Sequence, residues 1–324
     1  MRALVTGAAG FVGRYLVKFL LEQGCTVIAA CHSRPPDDPA YAGAVIRQAD
    51  VTDKEALRRL LAEFSPDEIY HLAGVAVTTG ENRERYYRVN FQGALNLFEA
   101  VRETATQARV LYVGSAAAYG TVPPEKQPLT EEQPLAPVNH YAASKAASDA
   151  AACAYAAEGL HIIRARPFNH TGPGQTTDYV CSRLAKKTAE IALGRADPVI
   201  EAGNLDAARD FTDVRDVVRA YHLLLQHGRP GEAYNVCSEK AYSVREITRI
   251  LTEIAGAEIT LRSTGELQRR TDIPLLLGSA GKIRRDTGWE PQIPFRQTLA
   301  DLFAWWQEKL AAEKSHSRAS QQGT

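Results

Sequence analysis

A Rossmann-type, doubly wound parallel α/β sheet with a smaller, mixed C-terminal lobe is predicted by three observations. Short apolar runs alternate with helical periodicity from residue 3 to residue 166, the pattern of strand-helix-strand units. The first run enters Gly7-Ala-Ala-Gly10-Phe-Val-Gly13 and then an amphipathic helix, the layout of a turn that approaches a pyrophosphate. After residue 166 the alternation stops at a turn-rich, mostly polar stretch, 167–175, which reads as a crossing into a second lobe.

Taken in order, residues 3–6 form the first strand. Val12, Leu16, Phe19 and Leu20 give the stripe of the helix that follows, and Gly24 ends it. Residues 26–30 are a second strand. Its end reads Cys31-His32-Ser33-Arg34, with no carboxylate for an adenosine ribose and an arginine that would accommodate a 2′-phosphate. That favours NADP(H), with NAD(H) as the alternative. Residues 45–48 are a third strand followed by Asp50, and Thr52-Asp-Lys-Glu55 reads as a capping box. Residues 67–72 are a fourth strand, ending in His71-Leu72-Ala73-Gly74; His71 is given no chemistry. Residues 81–104 read as one long helix with Tyr87, Phe91, Leu95 and Phe98 as its apolar stripe. Asn90 lies within it, placed to bridge backbone groups near a cofactor.

Residues 109–113 are a fifth strand, and Ser115 follows at its carboxyl end, where open α/β sheets bind ligands. A proline-rich loop, 122–137, leads to Tyr141-Ala-Ala-Ser-Lys145 at the start of an alanine-rich helix, 142–158. Residues four apart share a helix face, so Tyr141 and Lys145 should sit side by side. An ammonium beside a phenol is expected to lower the phenol's pKa and make it usable in proton transfer. Residues 160–166 are a sixth strand. Beyond the crossing, Arg209-Asp-Phe-Thr-Asp213 precedes another helix, 234–236 is a short strand, 244–255 a helix, and about 295–313 the last helix.

Lys plus Arg and Asp plus Glu are both 38 in 324 residues, so no global field favours nucleic acid or an anionic membrane. Five scattered cysteines without a Cys-x-x-Cys give no metal site and no disulfide framework. No apolar run is long enough for a membrane span, and a reducing cytoplasm is the expected compartment.

Thr6 to Gly13, Asp50, His71 to Gly74, Asn90, Ser115, Tyr141-x-x-x-Lys145 and Arg209 to Asp213 together resemble the extended short-chain dehydrogenase/reductase family of nucleotide-sugar enzymes. Arg166-Pro-Phe-Asn-His-Thr-Gly-Pro-Gly-Gln175 and Arg269-Arg-Thr-Asp-Ile273 are similar to its GDP-mannose branch, the second arginine standing where proline is usual. The resemblance implies a catalytic set of Ser115, Tyr141 and Lys145. It implies cofactor contacts from Gly7, Gly10, Phe11, Val12, His32, Arg34, Asp50, Val51, Leu72, Ala73, Gly74 and Asn90, besides Tyr141 and Lys145. Ser115, Asn169, Arg209, Arg269 and Asp272 are the implied substrate contacts.

In this family a 4,6-dehydratase carries an acidic residue just after the catalytic Ser or Thr. Here those positions are Ala116, Ala117 and Ala118, and a methyl group cannot move a proton. The resemblance therefore implies reduction of the C4 ketone of GDP-4-keto-6-deoxy-D-mannose to GDP-D-rhamnose, with Tyr141 as proton donor. The alternatives are a nucleotide-sugar 4,6-dehydratase or 4-epimerase and, in another class, a non-catalytic NADP-binding sensor. The expected division is a cofactor domain over 1–168 with a return segment near 213–242, a substrate lobe over 169–212 and 243–312, and a flexible tail, 313–324. A homodimer and a GDP-sugar are the expected partners, with no nucleic acid, no membrane and no metal.

Overall fold

The computed structural model describes residues 1–33, 37–76, 82–104, 107–265 and 273–321. Arg34, Arg269 and Asp272 lie outside the described residues. The first half runs β1 (Arg2–Thr6), α1 (Phe11–Glu22), β2 (Thr26–Cys31), β3 (Val45–Gln48), α2 (Lys54–Phe64), β4 (Glu68–His71), α3 (Arg83–Tyr86), α4 (Gly93–Thr104), β5 (Arg109–Val113), α5 (His140–Ala157) and β6 (Ile162–Pro167). The second half runs β7 (Asn169–Thr171), α6 (Val180–Ala192), β8 (Val199–Ala202), β9 (Ala208–Asp213), α7 (Val214–His227), β10 (Ala233–Val236), β11 (Ala241–Ser243), α8 (Val244–Ala255), β12 (Thr260–Ser263), β13 (Leu275–Leu276), α9 (Gly281–Thr287) and α10 (Phe295–Gln321).

Seven strands form one parallel sheet in the order β10-β6-β5-β4-β1-β2-β3. The sequence reverses direction across the sheet at β1 and β4, the switch point where open α/β sheets take ligands. A core around Leu16, Leu20, Tyr221, Leu224 and Trp289 covers one face, and another around Leu57, Leu97, Phe98 and Val101 covers the other. Helix α9 lies against α7 and β10, so this part of the 243–312 segment is attached to the large sheet. A third core joins α6, α8 and α10 through Leu184, Leu251, Leu299 and Trp306. Trp306 donates from Nε1 to Ser182 Oγ at 3.1 Å. Strand β9 pairs with β7, β11 and β13, and β8 with β12.

Two local expectations need correction. The capping box at Thr52 is absent. Asp53 is the N-cap and accepts from Ala56 N at 3.1 Å, while Thr52 N is held by Asp50 Oδ1 at 2.9 Å. Asp50 is spent on that turn, which moves the cap one residue on. The second correction is the helix expected over 81–104. It contains a π-helical segment, Tyr87–Gln92, between α3 and α4. The wider turn re-phases the chain. Tyr87 is exposed and Phe91 and Leu95 are only half-buried, whereas Tyr86, Asn90, Ala94, Leu97 and Phe98 face inward. Of the stripe read from the sequence, only Phe98 lies on the core face. Such π-bulges are frequent at functional sites.

Helix α5 is fastened to the sheet by a buried ion cluster. Asp149 accepts from Arg164 NH1 at 2.6 Å and from Arg166 Nε and NH2 at 2.9 and 2.8 Å. Removing the carboxylate leaves two arginines buried without their counter-ion, and breaking such a group costs about 3–5 kcal/mol. Asp149→Ala is expected to lose that much in urea denaturation. A loss below about 1 kcal/mol would mean the cluster does not hold α5.

Candidate active site

The carboxyl ends of β1, β4 and β5 and the first turns of α1 and α5 converge at the switch point. Gly7 has φ +70°, and a Cβ there would lie 2.7 Å from Ala73 N. The left-handed backbone and close contact with the segment after β4 both require glycine. A Cβ at Gly13 would meet Gly7 O at 2.4 Å, so its absence lets α1 start directly under the turn. Gly10, the N-cap of α1, is exposed, and no side chain caps that helix. Its first free N–H groups are therefore open to an anion, which fits a dinucleotide pyrophosphate. Phe11 and Val12 form this first turn, and Phe11 stacks on His170 with ring centroids 6.5 Å apart.

His32 follows β2 and Asp50 follows β3; their side chains are 3.6 Å apart and largely exposed. Val51 is buried, its carbonyl accepting from Asn96 Nδ2 at 3.0 Å. After β4, Leu72, Ala73 and Gly74 pass over the turn of Gly7. His71 itself is enclosed, with Nδ1 on Thr6 Oγ1 at 2.8 Å. Burial and the nearby Lys145 charge push its pKa down to about 3, so it is neutral.

Asn90 projects inward from the π-segment. Its Oδ1 accepts from Val75 N at 2.7 Å, and Nδ2 donates to Val75 O and Ser144 Oγ at 3.1 and 2.9 Å. All its polar atoms are used on protein groups, so it positions the backbone beside Gly74, bridging as expected from the sequence. Ser144 in turn donates to Tyr141 O at 2.8 Å. Ser144 was not singled out in the sequence, although it sits inside the Tyr141-x-x-x-Lys145 spacing.

Asn139 caps α5 through Ala142 N at 2.9 Å, fixing the turn that carries Tyr141. The Tyr141 ring meets Tyr86 edge-on at 6.1 Å. Ser115 caps a 3-10 turn, Ala116–Tyr119, accepting from Ala117 N at 3.2 Å. Ala116 and Ala118 are buried and Ala117 is half-buried. Lys145 is buried and donates from Nζ to Val113 O at 2.8 Å. Ser115, Tyr141 and Lys145 are thus brought together at the end of β5.

The electrostatics differ from the sequence expectation. Burial raises the Tyr141 pKa, and the neighbouring Ser115 hydroxyl only partly offsets it. Lys145 does not lower it; its own pKa is pushed down to about 8 because burial opposes its charge. Desolvation dominates both groups. Among the described residues, the other groups acting on the phenol are Tyr179 and Tyr86. The site holds a protonated phenol at neutral pH, competent to donate.

Of the described substrate candidates, Ser115 belongs to this cluster, and Asn169 and Arg209 come from the strands of the second half. Asn169 opens β7, in register with Phe211 of β9. Arg209 lies within β9, its NH1 donating to Ala208 O at 2.9 Å. A cavity of about 580 Å³ between α6 and β8, which the sequence did not reveal, is lined by Thr177, Arg183, Lys187 and Glu201 among others. Among the described residues no group of three or more His, Cys, Asp or Glu could hold a metal, and no helix is long and apolar enough to cross a membrane.

The family model described as GDP-mannose 4,6 dehydratase matches residues 4–302. The GDP-6-deoxy-D-mannose reductase of Pseudomonas aeruginosa is 34% identical over 315 residues, covering 96% of this chain and 99% of that protein. The GDP-mannose 4,6 dehydratase 1 of Arabidopsis thaliana is 30% identical over 350 residues, covering 99% and 95%. The solved structure of RMD from Pseudomonas aeruginosa complexed with NADPH is similar at TM-score 0.82 and 32% identity, covering 95% of this chain and 99% of that one. A Thermus thermophilus UDP-glucose 4-epimerase complexed with NAD gives TM-score 0.84 at 28% identity, covering 94% and 99%.

Proposed function

The chain belongs to the GDP-mannose 4,6 dehydratase family, and from that premise we propose that it reduces the C4 ketone of GDP-4-keto-6-deoxy-D-mannose with NADPH, giving GDP-D-rhamnose. One observation carries the choice within the family. The Ser115, Tyr141 and Lys145 set is assembled, while Ala116, Ala117 and Ala118 occupy the turn after Ser115, where a dehydratase would need an acid. Elimination of water needs a base for the sugar C5 proton; carbonyl reduction needs a proton donor and oxyanion stabilisers.

NADPH, when bound, supplies the hydride. The open first turn of α1 at Gly10 would receive its pyrophosphate and His32 would meet its adenosine end, with Arg34, outside the described residues, the expected partner of a 2′-phosphate. Lys145 would hold the nicotinamide ribose. Ser115 and Tyr141 hydrogen-bond the C4 oxygen, where negative charge develops, and Tyr141 transfers its proton there. Asn90 keeps Val75 in place beside Gly74, at the edge of the cofactor site. Asn169, Arg209, Arg269 and Asp272 serve the nucleotide side of the substrate. The protein acts as a cytoplasmic homodimer built on the α4 and α5 faces.

The test supplies GDP-4-keto-6-deoxy-D-mannose with NADPH, follows absorbance loss and identifies the sugar by NMR. Stoichiometric NADPH oxidation with a rhamnose product is expected. Conversion of GDP-mannose to the 4-keto sugar, or epimerisation without net NADPH use, would overturn the reading.

A further inference from the structure

The face that α5 buries is polar. Ser144, Lys145, Ser148 and Asp149 are 0%, 7%, 0% and 2% exposed. They lie together on one side of the helix, where an inward face is ordinarily apolar. Ser144 takes Asn90 Nδ2, Lys145 belongs to the site, and Asp149 holds Arg164 and Arg166. Ser148 is the fourth.

Its Oγ lies 2.7 Å from Ser144 O and 2.9 Å from Asn90 O, and its single proton is shared between the two carbonyls. The first bond adds little, because an α-helix already directs the Ser148 N–H to Ser144 O. The second crosses from α5 to the π-helical segment Tyr87–Gln92. Asn90 is therefore gripped at both ends, its side chain by Ser144 and its main chain by Ser148, one turn further along the same face. Tyr112 of β5 donates to Lys145 O at 3.3 Å, so this turn of α5 is itself anchored to the sheet. The rest of the Asn90 amide holds Val75, through N at 2.7 Å and O at 3.1 Å. A π-helical turn is rare and needs support from its surroundings. Slipping by one residue into an α-register would turn Asn90 about the helix axis by roughly 100° and take its amide off Val75.

Resting on the reading that the cofactor lies along the segment after β4, we propose that Ser148 is a positioning residue for cofactor binding. Its hydroxyl holds the Asn90 main chain, keeps the π-register and, through Asn90, fixes Val75 beside Gly74. Ser148 is enclosed, so it acts only through Asn90.

The experiment compares the full chain as wild type, Ser148→Ala and Thr188→Val. Thr188, also 0% exposed, donates from Oγ1 to Leu184 O at 2.8 Å, four residues back on α6. Its substitution removes a buried hydroxyl bond of the same kind from another helix and measures general softening. NADPH affinity is read by fluorescence titration. Exchange of the Val75 amide is read by NMR, with Leu111 of β5 reporting opening of the whole fold. A neutral hydrogen bond corresponds to about 2- to 12-fold in an equilibrium constant. In Ser148→Ala the Kd for NADPH should rise by that factor, and Val75 should exchange faster by at least as much relative to Leu111. Turnover at saturating NADPH should stay within about twofold, so that the loss falls on KM. Thr188→Val should move neither the Kd nor the Val75-to-Leu111 ratio.

An unchanged Kd in Ser148→Ala, Val75 exchange that tracks Leu111, or an equal rise in Kd in Thr188→Val would each overturn the proposal, the last because it would report softening rather than position. A wild type that binds neither NADPH nor NADH would instead remove the cofactor reading, and Val75 exchange would still decide whether Ser148 holds the π-register.

Discussion

Tyr141→Phe is expected to lower turnover by at least about 100-fold, the lower bound for a positioned general acid, while NADPH binds within about twofold of wild type. The substitution removes one oxygen and keeps the ring, so the edge-on contact with Tyr86 at 6.1 Å and the Asn139 cap of α5 are retained. The argument depends on the phenol being protonated when the substrate arrives. Burial raises the Tyr141 pKa, and Ser115 withdraws only part of that shift. The proton is therefore present across the neutral range, as a reductase requires, and Tyr141 ionisation should not limit the rate below about pH 10. Single-turnover kinetics with saturating NADPH separate this loss from slow product release. Near-normal turnover in Tyr141→Phe would remove the phenol from the chemistry and leave Ser115 as the sole hydroxyl there.

The elements that could be read in the sequence are those whose cause is local. Gly7 and Gly13 stand where a Cβ would collide with backbone at 2.7 and 2.4 Å, and a strand-glycine-helix pattern reports that directly. Tyr141 and Lys145 are one helical turn apart whatever the tertiary fold, so their adjacency followed from spacing alone. What was illegible depends on distant partners. The π-segment exists where Asn90 reaches Val75 and Ser144, and no periodicity in 81–104 announces it; the Tyr87, Phe91 and Leu95 stripe even points the wrong way. The α6 and β8 cavity joins residues about 20 positions apart whose charges are unremarkable one by one. The sign of the Tyr141 shift was missed for a third reason. A neighbouring ammonium and burial act in opposite directions on a phenol, and only the enclosed geometry decides between them.

Lys145→Met should make the protein more stable and the enzyme worse, and the pH dependence of the first effect identifies its cause. Burial lowers the Lys145 pKa from 10.5 to about 8. Between those values the unfolded chain binds a proton that the folded chain has released, so wild-type stability rises with pH across that window. Below about pH 8 the fold carries the full penalty of a buried ammonium, about 3 kcal/mol at 1.36 kcal/mol per pKa unit. Methionine removes the charge and fills similar volume, at a loss of about 1 kcal/mol for the hydrogen bond to Val113 O. Urea denaturation at pH 7 should therefore show Lys145→Met about 2 kcal/mol more stable, and the gain should vanish by about pH 10.5. The same charge serves the bound cofactor. NADPH affinity should fall about 10- to 100-fold with the loss of charge-assisted bonds, and wild-type kcat/KM for NADPH should decline above about pH 8 as the ammonium titrates in the free enzyme. A stability difference that is constant from pH 7 to 10.5 would show that Lys145 is not desolvated. The account of an ammonium kept under strain for its role in the site would then fail, even if activity were lost.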